Sequence, residues 1–217
     1  MTLMKILTSR DEWLEHRKTY IGGSDASAIV GMNPYKTNID LWEEKAGLRE
    51  PEDISDKDYV RYGTAAEPHL RELFTLDYPQ YEVLYVENNS FVNDKYPWAA
   101  ASLDGWLVEK ETGRNGILEI KTTNILQSQQ KEKWNHRIPD NYYIQVLHYL
   151  LVTEYEFAIL KAQLRSEFEG DVYLQTKHYR IERSDVEEDI QYLCKEEEKF
   201  WNCVKDNKRP ALKLPEI

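Results

Sequence analysis

Two short apolar runs near the middle of the chain, Ala99–Val108 and Gly116–Thr123, carry the pattern of buried strands. In the second run Glu119 and Lys121 are two residues apart. A strand sends both side chains to one face and Ile120 to the other. The segment Glu109–Asn115 is rich in turn residues and predicts a hairpin that turns Asp104 toward Glu119. Two carboxylates and a lysine would then share a patch inside an apolar sheet. Such residues usually sit on solvated faces, so the neighbours Leu118, Ile120 and Ala99–Ala101 make the patch notable.

Elsewhere the pattern is mixed. Ser9 with Glu12 reads as a capping box opening a helix to Tyr20, with Trp13 and Leu14 inward and Arg17 on the Trp13 side. Gly22 and Gly23 permit positive φ or close backbone approach. Ser24 then starts a short helix, either as its cap or as part of a phosphate seat. Thr37 caps a helix over Asn38–Lys45, and Leu48–Asp58 is a surface loop. Thr64–Phe74 has helical spacing through Leu70, Leu73 and Phe74. Pro68 places the helix start near Thr64, with Glu67 in the first turn. Tyr81–Glu87 is a strand with Ser90–Val92 as its partner. Asn124–Arg137 is polar and basic, suited equally to a phosphate backbone and to an exposed loop. A helix through Tyr142–Val152 places Tyr142, Gln145 and Tyr149 on one side, a polar stripe or ordinary amphipathic packing. Phe157–Leu164 and Val172–Ile181 close the sheet. A last helix runs from Ser184 to about Val204 with Phe200 and Trp201 inward, before a tail with Pro210 and Pro215.

Composition narrows the class. The 217 residues supply one ordinary domain, and 41% apolar with 31% charged residues reads as soluble and folded. Cys194 and Cys203 are nine apart and poorly placed to bridge on one helix, which suits a reducing cytoplasm. No secretory segment and no run of eighteen apolar residues stands out, so no membrane partner is expected. The net charge of -11 speaks mildly against nucleic acid, but it is uneven. Lys110–Arg137 holds six basic and three acidic residues, whereas Glu182–Lys199 holds three and eight.

Aligned carboxylates on adjacent strands suit a hard cation such as Mg²⁺, and a lysine beside them suits phosphodiester chemistry. Serine, cysteine and zinc mechanisms lack their motifs.

These residues together resemble the YqaJ-type viral recombinases, relatives of the phage lambda exonuclease in the PD-(D/E)xK nuclease superfamily. The resemblance rests on four elements in order: Arg17 with Ile21–Ala26 and Gly31–Tyr35; Gly63 with Glu67; Asp104 with Glu119-Ile120-Lys121; and Gln145–Tyr149. Leu103 stands in place of the proline of the motif, a departure many relatives also tolerate, and Pro68 follows Glu67 directly. The resemblance implies an α/β (α+β) fold, a central mixed sheet flanked by helices with a restriction-endonuclease-like core. It implies that Asp104, Glu119 and the Ile120 carbonyl ligate Mg²⁺, for which Mn²⁺ substitutes. Lys121 orients or activates water, Glu67 acts near the metals, and Gln145 supports the lysine or the substrate with Tyr149 nearby. Arg17 and Ser24 bind a 5′-phosphate, and Lys131 contacts DNA. Residues 1–50 form a helical phosphate-binding part, 59–181 the catalytic core, and 182–217 the C-terminal helix and tail. The implied activity is 5′–3′ digestion of linear double-stranded DNA, leaving 3′ overhangs for single-strand annealing recombination. It would proceed in a homo-oligomeric, trimeric ring beside an annealing protein, in a bacterial cytoplasm and of phage or prophage origin. A nuclease of other polarity, an endonuclease, and a silent DNA-end-binding protein are the alternatives.

Overall fold

The computed structural model describes residues 1–214, so Pro215 lies outside the described residues. In chain order the elements are β1 (Thr2–Ile6), α1 (Arg10–Lys18), α2 (Gly23–Ile29), α3 (Asn38–Lys45), α4 (Asp58–Asp77), β2 (Tyr81–Leu84), β3 (Asn89–Asn93), β4 (Ala100–Ala101), β5 (Gly105–Glu109), β6 (Asn115–Asn124), α5 (Ser128–Glu132), α6 (Asp140–Thr153), β7 (Phe157–Phe168), β8 (Asp171–Glu182) and α7 (Glu187–Lys205). A five-stranded sheet has the order β2-β5-β6-β7-β8, and a smaller one the order β1-β3-β4. Only β6 and β7 pair in parallel, across the α6 crossover; the other pairs of the large sheet are antiparallel.

Both faces of the large sheet are covered, which is why its central strands read as continuous apolar runs. On β7, Ala158, Leu160, Ala162 and Leu164 join Ile117 in a core shared with α2, α6 and α7. Phe157 and Ile159 join Leu118, Ile120 and the α4 residues Leu70 and Phe74 on the opposite face. The period-2 reading of Gly116–Thr123 therefore holds. Gly116 is required there, because a Cβ would lie 2.3 Å from the Phe157 ring. Among the described residues no helix is long and apolar enough to cross a membrane.

Several expectations are corrected. The first apolar run is not one strand: Ala100–Ala101 belongs to the small sheet, β5 begins at Gly105, and Asp104 occupies the break. β3 pairs with β1 and β4, not with β2, and β1 itself has no counterpart in the sequence reading. α4 starts at Asp58, so Pro68 is interior and Glu67 is no first-turn residue. Flanking packing at Leu70 and Phe74 outweighs the lost hydrogen bond to Thr64. Leu73 and Leu14 are exposed. Ser9 caps α1 by accepting from the Glu12 N–H, but Glu12 reaches back to Thr8 rather than to Ser9. Ser184 does not cap the last helix, which starts at Glu187 after a 3₁₀ turn; Phe200 is buried and Trp201 half-buried. Cys194 and Cys203 are free thiols.

One buried ion pair joins α6 to α7. His148 Nδ1 lies 2.6 Å from Glu197 Oε1, and Nε2 lies 3.0 Å from the Ala100 carbonyl. Both ring nitrogens face acceptors, so both donate and the ring is an imidazolium. Burial opposes this charge, but Glu197 outweighs it and raises the His148 pKa. Glu197→Ala should cost about 3–5 kcal/mol in urea unfolding. Because the folded pKa is raised, the pair's contribution is full below the unfolded histidine value near 6.5 and is lost as pH rises through the folded one. The gap between parent and variant should shrink accordingly.

Candidate active site

Glu119 is buried in the middle of β6, 1% exposed. Its Oε1 accepts from Gln145 Nε2 at 2.9 Å and from Lys121 Nζ at 2.6 Å. Gln145 Nε2 also donates to the Tyr149 hydroxyl at 2.8 Å. The other oxygen, Oε2, is buried and has no hydrogen-bond donor. Asp104 stands across the break, its Oδ2 accepting from the Ile120 N–H at 2.8 Å. Glu67, from α4, completes a shallow depression of about 190 Å³ lined also by Gly63, Asp104, Ile120, Lys121 and Thr122.

The electrostatics follow from this crowding. Burial and then the Asp104 charge push the Glu119 carboxyl up to about 8. Burial and Asp104 push Glu67 up to about 7, with Arg71 working against them. Burial raises Asp104 also, offset in part by Lys121 and the Ile120 N–H. Burial opposes the Lys121 charge, but Glu119 and Asp104 outweigh it and hold the ammonium well above the ordinary lysine value. Burial and Glu119 raise the Tyr149 phenol, so it stays protonated. Three carboxylates thus face one lysine, and one carboxylate oxygen lacks any partner.

That orphaned oxygen is the test of whether a metal fits. The side-chain donors present are oxygens: Glu119 Oε2, the Asp104 carboxylate and the nearby Glu67, a set chemically suited to Mg²⁺. Among the described residues no three His, Cys, Asp or Glu side chains form a ready ligand cluster. The side chains therefore offer two adjacent carboxylates, Asp104 and Glu119, with Glu67 nearby.

A second group lies at the start of α2. Arg17 Nη2 donates to Ser24 Oγ at 2.9 Å, and its guanidinium sits 4.5 Å from the Trp13 ring centroid. Ser24 does not cap α2: Gly22 does, its N–H donating to Asp25 Oδ2 at 3.0 Å. The exposed Ser24 hydroxyl is left to Arg17. Lys45 Nζ binds Asp25 Oδ2 at 2.9 Å and donates to the carbonyls of Arg17 and Tyr20. Gly23 serves close approach rather than positive φ. A Cβ there would lie 2.4 Å from the Tyr149 ring and 3.0 Å from Gln145.

These two groups are joined. Trp13 Nε1 donates to Ser102 Oγ at 3.0 Å, two residues before Asp104, and Asn89 binds both the N–H and the carbonyl of Leu103. Tyr142 lies 5.1 Å from the Lys121 ammonium and stacks on the buried Trp134, so the polar stretch Asn124–Arg137 is anchored rather than wholly loose. It includes α5, on which Lys131 is exposed and apart from the other site residues. The sequence reading missed Lys45 and Arg71. The spacing of Arg71 four residues after Glu67 was the signal for the last.

Comparison with known proteins gives the same architecture. The model of the YqaJ-like viral recombinase domain matches residues 12–156. The protein YqaJ of Bacillus subtilis (strain 168) is 33% identical over 205 residues, covering 94% of this chain and 59% of that protein. The chain thus spans less than two thirds of that relative's length. The alkaline exonuclease LHK-Exo from Laribacter hongkongensis superposes with a TM-score of 0.68 at 19% identity, covering 91% of this chain and 93% of the other. Its complex with dAMP gives 0.66 at 18% identity, with the same coverage of each chain. Both likenesses concern the fold, the restriction-endonuclease-like mixed sheet between helices. The matched 12–156 segment makes the chain a member of the YqaJ-like viral recombinase domain family.

Proposed function

We propose that this protein is a Mg²⁺-dependent 5′–3′ exonuclease on linear double-stranded DNA that leaves 3′ single-stranded overhangs for annealing recombination. The observation that carries the reading is the convergence of Asp104, Glu119 and Lys121 around a buried carboxylate oxygen with no donor. The exonuclease name of the similar Laribacter structure, and its complex with a deoxynucleoside monophosphate, support the substrate class.

Asp104, Glu119 and the Ile120 carbonyl hold the cation, with Mn²⁺ able to replace Mg²⁺ and Glu67 nearby. Bound there, Mg²⁺ supplies a Lewis acid that polarises the phosphoryl oxygen and acidifies a water. Lys121, held protonated by its carboxylate neighbours, orients the attacking water and offsets charge on the phosphate. Gln145, itself held by the Tyr149 hydroxyl, and Lys121 keep Glu119 Oε1 engaged, which leaves Oε2 for the cation. Arg17 and Ser24 seat the terminal 5′-phosphate, and Lys131 contacts the duplex backbone. Hydrolysis joins a water oxygen to phosphorus and breaks the bond to the 3′ oxygen of the leaving nucleotide. The next nucleotide then carries the 5′-phosphate that refills the seat. A homo-oligomeric ring, trimeric by family resemblance, would turn the basic residues of this -11 chain toward the DNA. A single-strand annealing protein would take up the overhang, in a bacterial cytoplasm.

End-labelled linear duplexes with Mg²⁺ test the polarity: 5′ mononucleotides should be released, and cutting of a closed circle would point to an endonuclease instead. Lys121→Ala should lower cleavage by about 10²–10⁴-fold while binding to duplex ends changes little. Unchanged binding without cleavage in the parent itself would indicate a silent end-binding protein. Arg17→Ala should lose the preference for phosphorylated over hydroxyl 5′ ends, a loss of about 10–100-fold for a charged hydrogen bond. Equal discrimination in variant and parent would remove Arg17 from that role.

The pH dependence has a defined sign. Glu119 at about 8 when folded, against about 4.3 unfolded, means that the folded metal-free protein holds the extra proton. That stabilisation is full below the unfolded value and falls as pH rises through about 8. The melting temperature of the parent should therefore decline relative to Glu119→Gln over this window. The rise produced by Mg²⁺, which needs the carboxylate, should grow over the same window. A Mg²⁺ effect that is flat with pH would remove Glu119 as a ligand.

A further inference from the structure

One cation on α4 spends all its interactions on the carboxylate site. Arg71 lies one turn after Glu67, and its side chain is 13% exposed. Its Nη2 donates to Glu67 Oε1 at 2.5 Å, and its Nε donates to the main-chain carbonyl of Asp104 at 2.5 Å. The Tyr85 ring centroid is 3.5 Å from the guanidinium carbon. The Nε–Nη2 edge and one face of a planar, rigid fork are thus occupied.

The carbonyl that Arg71 takes belongs to neither sheet. β4 ends at Ala101, and the pairing of β5 with β6 begins at Gly105 opposite Leu118. A carbonyl in such a break turns with the ψ of its own residue, and the residue's orientation against the neighbouring strand turns with it. Arg71 stops that rotation from the main-chain side, while the Ile120 N–H holds the Asp104 carboxylate. The same guanidinium fixes Glu67, which faces the depression from a different element.

We propose that Arg71 is a positioning residue for the metal site: it sets the separation of Glu67 from Asp104, and Tyr85 fixes the plane in which it does so. It touches neither substrate nor reacting atoms. The inference rests on the reading of this site as a Mg²⁺ centre. A lysine would supply the charge but not the planar two-donor edge, so charge alone should not replace Arg71.

The test is a thermal-shift titration with Mg²⁺ in the absence of DNA, comparing the parent with Arg71→Ala and Arg71→Lys. Both variants should need about 10–100-fold more Mg²⁺ for the half-maximal shift. In the cleavage assay the Mg²⁺ requirement should rise likewise, with rates at saturating Mg²⁺ largely recovered. A purely structural arginine would lower the metal-free melting temperature and leave the Mg²⁺ midpoint unmoved, and that result overturns the proposal. If Arg71→Ala does not fold, Arg71→Lys decides: a parental midpoint overturns, a tenfold higher one supports. A parent that shows no shift with Mg²⁺ or Mn²⁺ overturns the metal reading and this inference together. A responsive parent matched by both variants overturns this inference alone.

Discussion

Placing an ionisable carboxyl in the middle of a packed sheet is costly. An unpaired charge loses its hydration, and the group must be neutralised or matched by donors. Glu119 is in that position between Leu118 and Ile120, and much of the surrounding architecture answers it. α6 brings Gln145, braced by Tyr149, to one oxygen, and β6 itself brings Lys121 by its alternation. The remaining oxygen is left toward Asp104 with its demand unmet. Paired carboxyls and an orphaned acceptor are unfavourable in isolation. A cation bound there would relieve both at once, which is how a site of this kind couples stability to occupancy.

The same economy extends to the amino-terminal part. Asp104 has no ladder hydrogen bonds to place it, so side chains do so: Asn89 at Leu103, Trp13 at Ser102, Arg71 at the Asp104 carbonyl. Because Trp13 also underlies Arg17, the Arg17–Ser24 pair and Asp104 are held by one aromatic residue. Gly23 completes the junction by letting α2 lie against Tyr149 at a distance that no other residue permits. A local backbone choice in the first helices is therefore felt at the end of the hydrogen-bond chain that reaches Glu119.

What was legible in the sequence is what short-range periodicity encodes. The alternation around Glu119 and Lys121 places them on one face, and the spacing of Gln145 and Tyr149 places both toward that face. The capping signals at Thr37 and Ser9 stand in the structure as well. The failures have physical causes. Thr2–Ile6 is an exposed edge strand with no buried face to pattern it. Pro68 argued for a helix start because propensity carries no knowledge of the packing at Leu70 and Phe74. Trp134 sits in a polar stretch, yet it is buried between the stacked Tyr142 and the sequence-distant Tyr179. Strand partners such as β3 with β1 are set by long-range pairing, to which local pattern is blind.

The unequal treatment of the two Glu119 oxygens has a further consequence. A free carboxylate is symmetric, and its ends interchange by a half-turn of the last torsion. Here one end is gripped by an ammonium and an amide donor while the other is bare, so the group has lost that symmetry. An amide of the same shape in its place would have one favoured orientation, its oxygen toward Lys121 and Gln145 and its NH₂ toward Asp104. Exchanging a single oxygen for nitrogen would then put a donor where the bare acceptor stood, in a side chain of nearly the same shape.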